Sequence, residues 1–205
     1  MNTFKNTLLS SLFLILMASS VVAQQQKELT IGSAAPMLDQ QVQDISGRTL
    51  TLNSVAKQNG LLVIFSCNTC PWVMRWEDRY PVVSQLAREN NIGMIALNPN
   101  EAYRNRGDGM EDMIKHARKA NYDFPYALDK DHKIADAFGA TRTPHVYLFN
   151  SDLELIYVGA IDDNANDADA VQEFYLKDAI EQMRAGEDLS KSKTKSLGCT
   201  IKRVS

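Results

Sequence analysis

Leu61-Leu62-Val63-Ile64-Phe65-Ser66-Cys67-Asn68-Thr69-Cys70-Pro71-Trp72 is the stretch on which the reading of this chain turns. Five consecutive apolar residues after Gly60 suit a strand buried on both faces, as in the middle of a sheet. The run stops at Ser66, and Pro71 directly follows the second cysteine. Proline is well tolerated in the first helical turn, where its missing N–H would have had no partner. Trp72, Val73, Trp76, Tyr80, Val83 and Leu86 then recur at helical spacing, with Pro81 predicting a kink or break. Cys67 and Cys70 thus fall where a buried strand hands over to a helix.

That placement gives the cysteines their chemistry. Helix N-termini favour negative charge, so a thiol there ionises more easily and becomes a nucleophile. The first turn, Pro71 to Met74, holds no acid to oppose this, and Arg75 adds positive charge. Cys67, nearer the strand end, is expected to be the more exposed and to attack first. Cys70 would resolve the mixed disulfide so formed.

Outward from this junction, Val42 to Leu52 reads as two short strands around Ser46-Gly47, an N-terminal β-hairpin extension. Downstream, the spacing predicts a strand over Ile92–Leu97, a polar loop over Glu101–Gly109 and a helix over Met110–Ala120. A short strand at Tyr126–Leu128 and a helix at His132–Phe138, closed by Gly139, come next. Thr143-Pro144 precedes the apolar run Val146–Phe149, a turn at 150–152 and a return strand Leu153–Val158. A long helix is expected over Ala168–Ala185. This order implies an α/β layer fold, a central sheet with helices on both faces.

The ends carry different signals. Residues 1–23 look like an export signal: Lys5, an apolar stretch Leu8–Ala18, and Val21-Val22-Ala23 before Gln24. The apolar run is short of the ~20 residues of a spanning helix, so an uncleaved anchor is disfavoured. Exported, periplasmic or extracellular, the chain would meet conditions in which disulfides persist. Residues 24–186 form the expected domain, and 187–205, rich in Lys, Ser and Thr, a loosely held tail. Three cysteines are an odd number, so one thiol must stay free, reactive or paired outside the chain. Cys199 in the tail is either a second resolving thiol that folds back to Cys67 or Cys70, or a spare thiol or intermolecular bridge.

With Gly32-Ser33-Ala34-Ala35-Pro36, Asn98-Pro99-Asn100, Phe124-Pro125-Tyr126, Gly139-Ala140-Thr141-Arg142-Thr143-Pro144, Gly159-Ala160-Ile161-Asp162-Asp163-Asn164 and Gly198-Cys199-Thr200-Ile201-Lys202 added to the Cys-x-x-Cys junction, the chain resembles a known family. It is similar to the redoxin branch of the thioredoxin superfamily, related to alkyl hydroperoxide reductase/thiol-specific antioxidant proteins, and within it to exported peroxiredoxin-like members. The resemblance implies a thioredoxin-like fold, a cis peptide at Thr143-Pro144 beside the cysteines, and a Thr143 backbone that presents itself to an extended substrate. It implies thiol–disulfide oxidoreductase chemistry at Cys67 and Cys70, or peroxide reduction as the alternative. No cofactor or metal is required. The partners implied are protein thiols or disulfides, or a thioredoxin-like electron donor.

Two departures from the family pattern stand out. Peroxidatic members carry Thr or Ser three residues before the reactive cysteine, whereas Ile64 precedes Cys67 and Cys67 precedes Cys70 at that spacing. Thioredoxins proper bury an acid under the site, yet Leu61 to Ser66 holds none.

Rival chemistries are weaker. A net charge of −3 and the lack of a basic stripe argue against nucleic acid, and no later segment is apolar enough for stable membrane insertion. A closed zinc site needs four ligands, and a copper site would need His145 beside the cysteines. Asp162, Asn164, Asn166 and Glu173 fall at calcium-loop spacings, but Asp167 stands where glycine is required. Trp72 and Trp76, four apart, read as core packing, with Trp72 near enough to rim the site.

Overall fold

The computed structural model describes residues 27–204, so the expected signal segment lies outside the described residues. Among the described residues nine strands and six α-helices run in the order β1 (Val42–Asp44), β2 (Thr49–Leu50), α1 (Leu52–Val55), β3 (Leu61–Phe65), α2 (Pro71–Trp76), α3 (Arg79–Glu89), β4 (Gly93–Asn98), α4 (Met110–Lys119), β5 (Tyr126–Leu128), α5 (Lys133–Phe138), β6 (Arg142–Thr143), β7 (His145–Phe149), β8 (Leu155–Gly159), α6 (Tyr175–Ala185) and β9 (Cys199–Thr200). Seven strands form one mixed sheet in the order β2-β1-β5-β4-β3-β7-β8, and β6 pairs separately with β9.

β3 sits inside the sheet, parallel to β4 and antiparallel to β7, and all five of its residues are buried. The period-two alternation of a strand explains its unbroken apolar sequence. Leu62 and Ile64 point into a core with α2, α3, α4 and α6, while Leu61, Val63 and Phe65 point into a second core with α1 and α5. The sheet is therefore covered on both faces, and the β1–β2 hairpin extends one edge. This is the expected thioredoxin-like architecture.

Two details differ from the sequence reading, and one follows it. The expected break in the first long helix falls at Glu77-Asp78, which leaves Pro81 in the first turn of α3. The last helix starts only at Tyr175. Ahead of it, the side chains of Asp162, Asn164 and Asp167 accept backbone N–H groups two residues on, a local pairing that competes with helix.

The second difference is the tail, which is not loosely held. Val158 and Ser192 exchange a backbone hydrogen bond, as do Thr194 and Val158, so the tail runs along β8. Ile201 is buried in the second core. Lys202 N–H donates to Asn100 Oδ1 at 2.9 Å, and Arg203 reaches Asp136 at 2.8 Å and the Ala140 carbonyl at 2.6 Å. The cations that suggested a solvated tail are partly used as anchors.

Glu28 links the sheet to the tail. Its carboxylate meets His145 Nε2 at 3.3 Å and also pairs with Lys193. The His145 contact, helped by Lys193 and opposed by burial, holds the Glu28 carboxyl down to about 2. A carboxyl depressed in the folded state stabilises the fold above its ordinary range near 4.5, and that contribution is lost as pH falls toward 2. Glu28→Gln should therefore lose less stability than the wild type between pH 6 and pH 3 in urea titrations. Identical pH dependence of the two proteins would remove Glu28 from this role.

Candidate active site

Cys70 is the N-cap of α2, with extended backbone (φ −89°, ψ 120°), and Pro71 takes the first helical position. The two residues between the cysteines are fixed by a carboxylate that enters from a distant loop. Asp108 is fully buried. It accepts the Asn68 backbone N–H at 2.7 Å and the Thr69 hydroxyl at 2.7 Å. Asn98 and Asn100 donate their side-chain amides to it, each at 3.0 Å. A carboxylate offers about four acceptor sites, and all four are filled here. Gly107, at φ +107°, presents its carbonyl to Asn68 Nδ2 at 2.7 Å, a backbone conformation that favours glycine. The Tyr126 hydroxyl donates to Asn68 Oδ1 at 2.9 Å.

Sequence reasoning missed Asp108, because the stretch Glu101–Gly109 reads as a polar loop. The buried acid sought within β3 comes instead from this loop. The available signal was Asn98-x-Asn100, two amides at the end of a buried strand that need a common acceptor.

The three cysteines meet at Thr143. Cys67 Sγ lies 3.1 Å from Thr143 Oγ1, and Cys70 Sγ lies 3.2 Å from the Thr143 carbonyl oxygen. Cys199 is the register partner of Thr143 across β6 and β9. Cys70 and Cys199 are joined as a disulfide, with Cα atoms 6.0 Å apart, and Cys67 is a free thiol. Of the two tail readings, the cysteine that folds back is the one observed. Gly198 makes the approach possible, since a Cβ there would collide with the Thr143 carbonyl. The Thr143-Pro144 bond is cis, as the family resemblance implies. The Thr143 backbone that was expected to face an outside peptide faces residues of the chain itself.

Cys67 differs most from expectation. It is fully buried, less accessible than Cys70 at 3% exposure, whereas Cys199 is half-buried. Burial pushes the Cys67 thiol up to about 12, and the Asp108 charge adds to this. The Thr143 hydroxyl and the backbone N–H groups of Cys70 and Thr69 oppose it without prevailing. The activating effect expected of the helix end is small because α2 has only six residues, and desolvation outweighs it.

The rival chemistries find no support in this geometry. His145 turns away from the cysteines toward the other face, its ring 4.6 Å from Tyr147 and its Nε2 on Glu28. Asp162 is committed to Trp76 Nε1 at 3.0 Å and to Arg79 at 3.2 Å, which fastens its loop to α2 and α3. Among the described residues no cluster of His, Cys, Asp and Glu suits a metal ion. Trp76 is core, as expected, and Trp72 stacks under Arg75 at 4.8 Å at its rim.

The AhpC/TSA family model matches residues 31–158, well over half of the chain. The chain belongs to the AhpC/TSA family. Among solved structures, this AhpC/TSA protein is similar to an uncharacterized conserved protein from Geobacillus kaustophilus, at 27% identity over 85% of this chain and 93% of that one, with a TM-score of 0.79. It is equally similar to a hypothetical protein from Sinorhizobium meliloti, at 26% identity over 87% and 97%, TM-score 0.79. A candidate thiol:disulfide interchange protein, DsbE, from Chlorobium tepidum shares the fold at 14% identity over 78% and 98%, TM-score 0.58. No curated protein matches the chain. Family membership places the chain among redoxins, whose chemistry is oxidoreductase in kind.

Two outcomes test this site. Asp108→Ala leaves four donors without an acceptor and should cost about 2–5 kcal/mol in urea denaturation; a loss under about 0.5 kcal/mol would deny Asp108 its anchoring role. Cys67, raised from 9.0 to about 12, should hold about 1000-fold less thiolate at pH 8 than an unperturbed thiol. Alkylation of the native protein by iodoacetamide should therefore spare Cys67, and labelling at the rate of a free thiol would contradict its placement.

Proposed function

We propose that this protein is a thiol–disulfide oxidoreductase in which Cys70 is shared between an inner thiol, Cys67, and an outer one, Cys199. The observation that supports it best is the convergence of all three cysteines on Thr143, with one pair bonded and the third thiol alongside. In the bonded state, Cys67 thiolate attacks Cys70 Sγ and a Cys67–Cys70 disulfide forms. The Cys70–Cys199 bond breaks, and Cys199 leaves as the thiolate that takes up the proton Cys67 has lost. No net oxidation occurs in this step: it moves one disulfide between a buried Cys-x-x-Cys pair and the tail. Burial keeps the Cys67 thiol protonated and that transfer slow, so the Cys70–Cys199 bond is the resting state that an outside partner meets.

Thr143 and Pro144 serve as the floor on which the sulfurs exchange. The partners are protein thiols or disulfides, or a thioredoxin-like donor. The setting is outside the cytoplasm, which the leading 23 residues and a disulfide able to persist both support. No helix among the described residues is long and apolar enough to cross a membrane.

Peroxide reduction is the second reading. It is favoured by the family, while Cys67 in place of the usual Thr or Ser three residues before Cys70 counts against it. In that reading Cys70 is oxidised to a sulfenic acid and Cys199 condenses with it, expelling water.

Turnover of a model protein disulfide separates the two. Cys70→Ser and Cys67→Ser should each lower disulfide exchange at least ~100-fold, while wild-type peroxide consumption stays near that of a free thiol. Retained exchange in both variants would sink the oxidoreductase reading. Rapid peroxide consumption that needs Cys70 and Cys199 but not Cys67 would favour the second.

A further inference from the structure

The face of Thr143 that would pair with an incoming strand is filled by β9, and β9 is fixed on both sides of Cys199. Arg142 faces Thr200 in register and donates from Nη1 to the Gly198 carbonyl at 2.9 Å. Beyond Cys199, Ile201 N–H donates to the Thr141 carbonyl at 3.1 Å, Ile201 is buried, and Lys202 and Arg203 are bonded to Asn100, Asp136 and Ala140. Before it, Thr194 bonds the Tyr157 hydroxyl at 2.7 Å and the Ala160 N–H at 3.0 Å. These contacts do not need the disulfide, so opening the bond leaves β9 in position.

Exchange requires the attacking sulfur to approach along the line of the bond that breaks. Cys70 is buried, and the free thiol that shares Thr143 with it is Cys67. Cys199 is half-buried, the more exposed partner of the bond. Its surroundings are basic. From Leu189 to Ser205 the tail has five Lys or Arg and no acid. Among the described residues Arg142, Lys195 and Lys202 belong to no ion pair, whereas Lys191, Lys193 and Arg203 do.

From this access and charge we infer that outside reductants attack the disulfide at Cys199, and that thiols carrying a negative charge are its preferred partners. The inference rests on the oxidoreductase reading above and names the sulfur and partner class through which it works. An incoming thiolate forms a bond to Cys199 Sγ and the Cys199–Cys70 bond breaks. Its electron pair leaves on Cys70, which takes a proton from water. A second molecule of the same thiol attacks the sulfur of the first, which frees Cys199 as a thiolate. Two thiols are oxidised to one disulfide, and the protein disulfide is reduced to two thiols. An extended peptide that needs the Thr143 edge is excluded throughout.

The test uses the full chain and three small probes at matched thiolate concentration: 3-mercaptopropionate, 2-mercaptoethanol and cysteamine. Acid quenching followed by peptide mapping locates the adduct, in the wild type and in Cys67→Ser, where internal reshuffling is blocked. The expected adduct is on Cys199 with Cys70 free. The anionic probe should open the bond roughly three- to tenfold faster than the cationic one at low salt. Arg142→Gln should narrow that gap and Arg142→Lys restore it.

An adduct chiefly on Cys70 overturns the assignment of Cys199 and leaves the oxidoreductase reading standing. Equal rates for the three probes, once their intrinsic reactivities are allowed for, overturn the charge preference. A disulfide that no probe opens in the native protein overturns the inference together with the function beneath it, since the bond would then only staple the tail.

Discussion

Thr143 is where the chain brings its sulfur chemistry together. Its hydroxyl meets one cysteine, its carbonyl a second, and its backbone pairs in register with the third. Thiol–disulfide exchange needs three sulfurs close to one line, and a thiol has little chance of attacking a bond it cannot approach in that way. The arrangement around Thr143 meets the proximity requirement by folding rather than by collision. β3 delivers Cys67, the N-cap of α2 delivers Cys70, and a strand near the end of the chain delivers Cys199. The rest of the architecture holds these three deliveries in place: two cores that clamp β3, the Asp108 carboxylate that fixes the loop between the cysteines, and the anchors that seat β9.

The Cys70–Cys199 link spans 129 residues of sequence. In the chain-entropy picture a loop of that length stabilises the fold by about 5 kcal/mol. Reduction removes that restraint. The contacts of Ile201, Lys202 and Arg203 then determine whether Cys199 remains at a high effective concentration beside Cys70. A tethered thiol at millimolar or higher effective concentration recloses far faster than a free one reacts. The same tail that blocks the Thr143 edge thus keeps the outer thiol poised.

Much of the fold was legible in local pattern. The run Leu61–Phe65 announced a doubly buried strand, and the hairpin around Ser46-Gly47 and the helix ended by Gly139 followed from turn chemistry. The two cysteines at the strand–helix junction were equally plain. What stayed hidden depends on contacts between distant residues. Asp108 sits 40 positions from Asn68, and nothing in a polar loop says that its carboxylate will turn inward. The burial of Cys67 is hidden in the same way: the sequence shows the helix end beside the sulfur but not the desolvation that outweighs six residues of helix. The seating of the tail is hidden for a related reason: its lysines read as solvated charge, whereas one buried isoleucine and a handful of specific bonds set its position.

The central claim is that the resting disulfide joins Cys70 to Cys199 and leaves Cys67 as a thiol. It is tested most directly by isolating the protein under acid conditions that freeze exchange, blocking free thiols, and mapping the disulfide by mass spectrometry of its peptides. The account predicts a Cys70–Cys199 linked pair with the blocking group on Cys67. A sole Cys67–Cys70 disulfide with Cys199 blocked would contradict it.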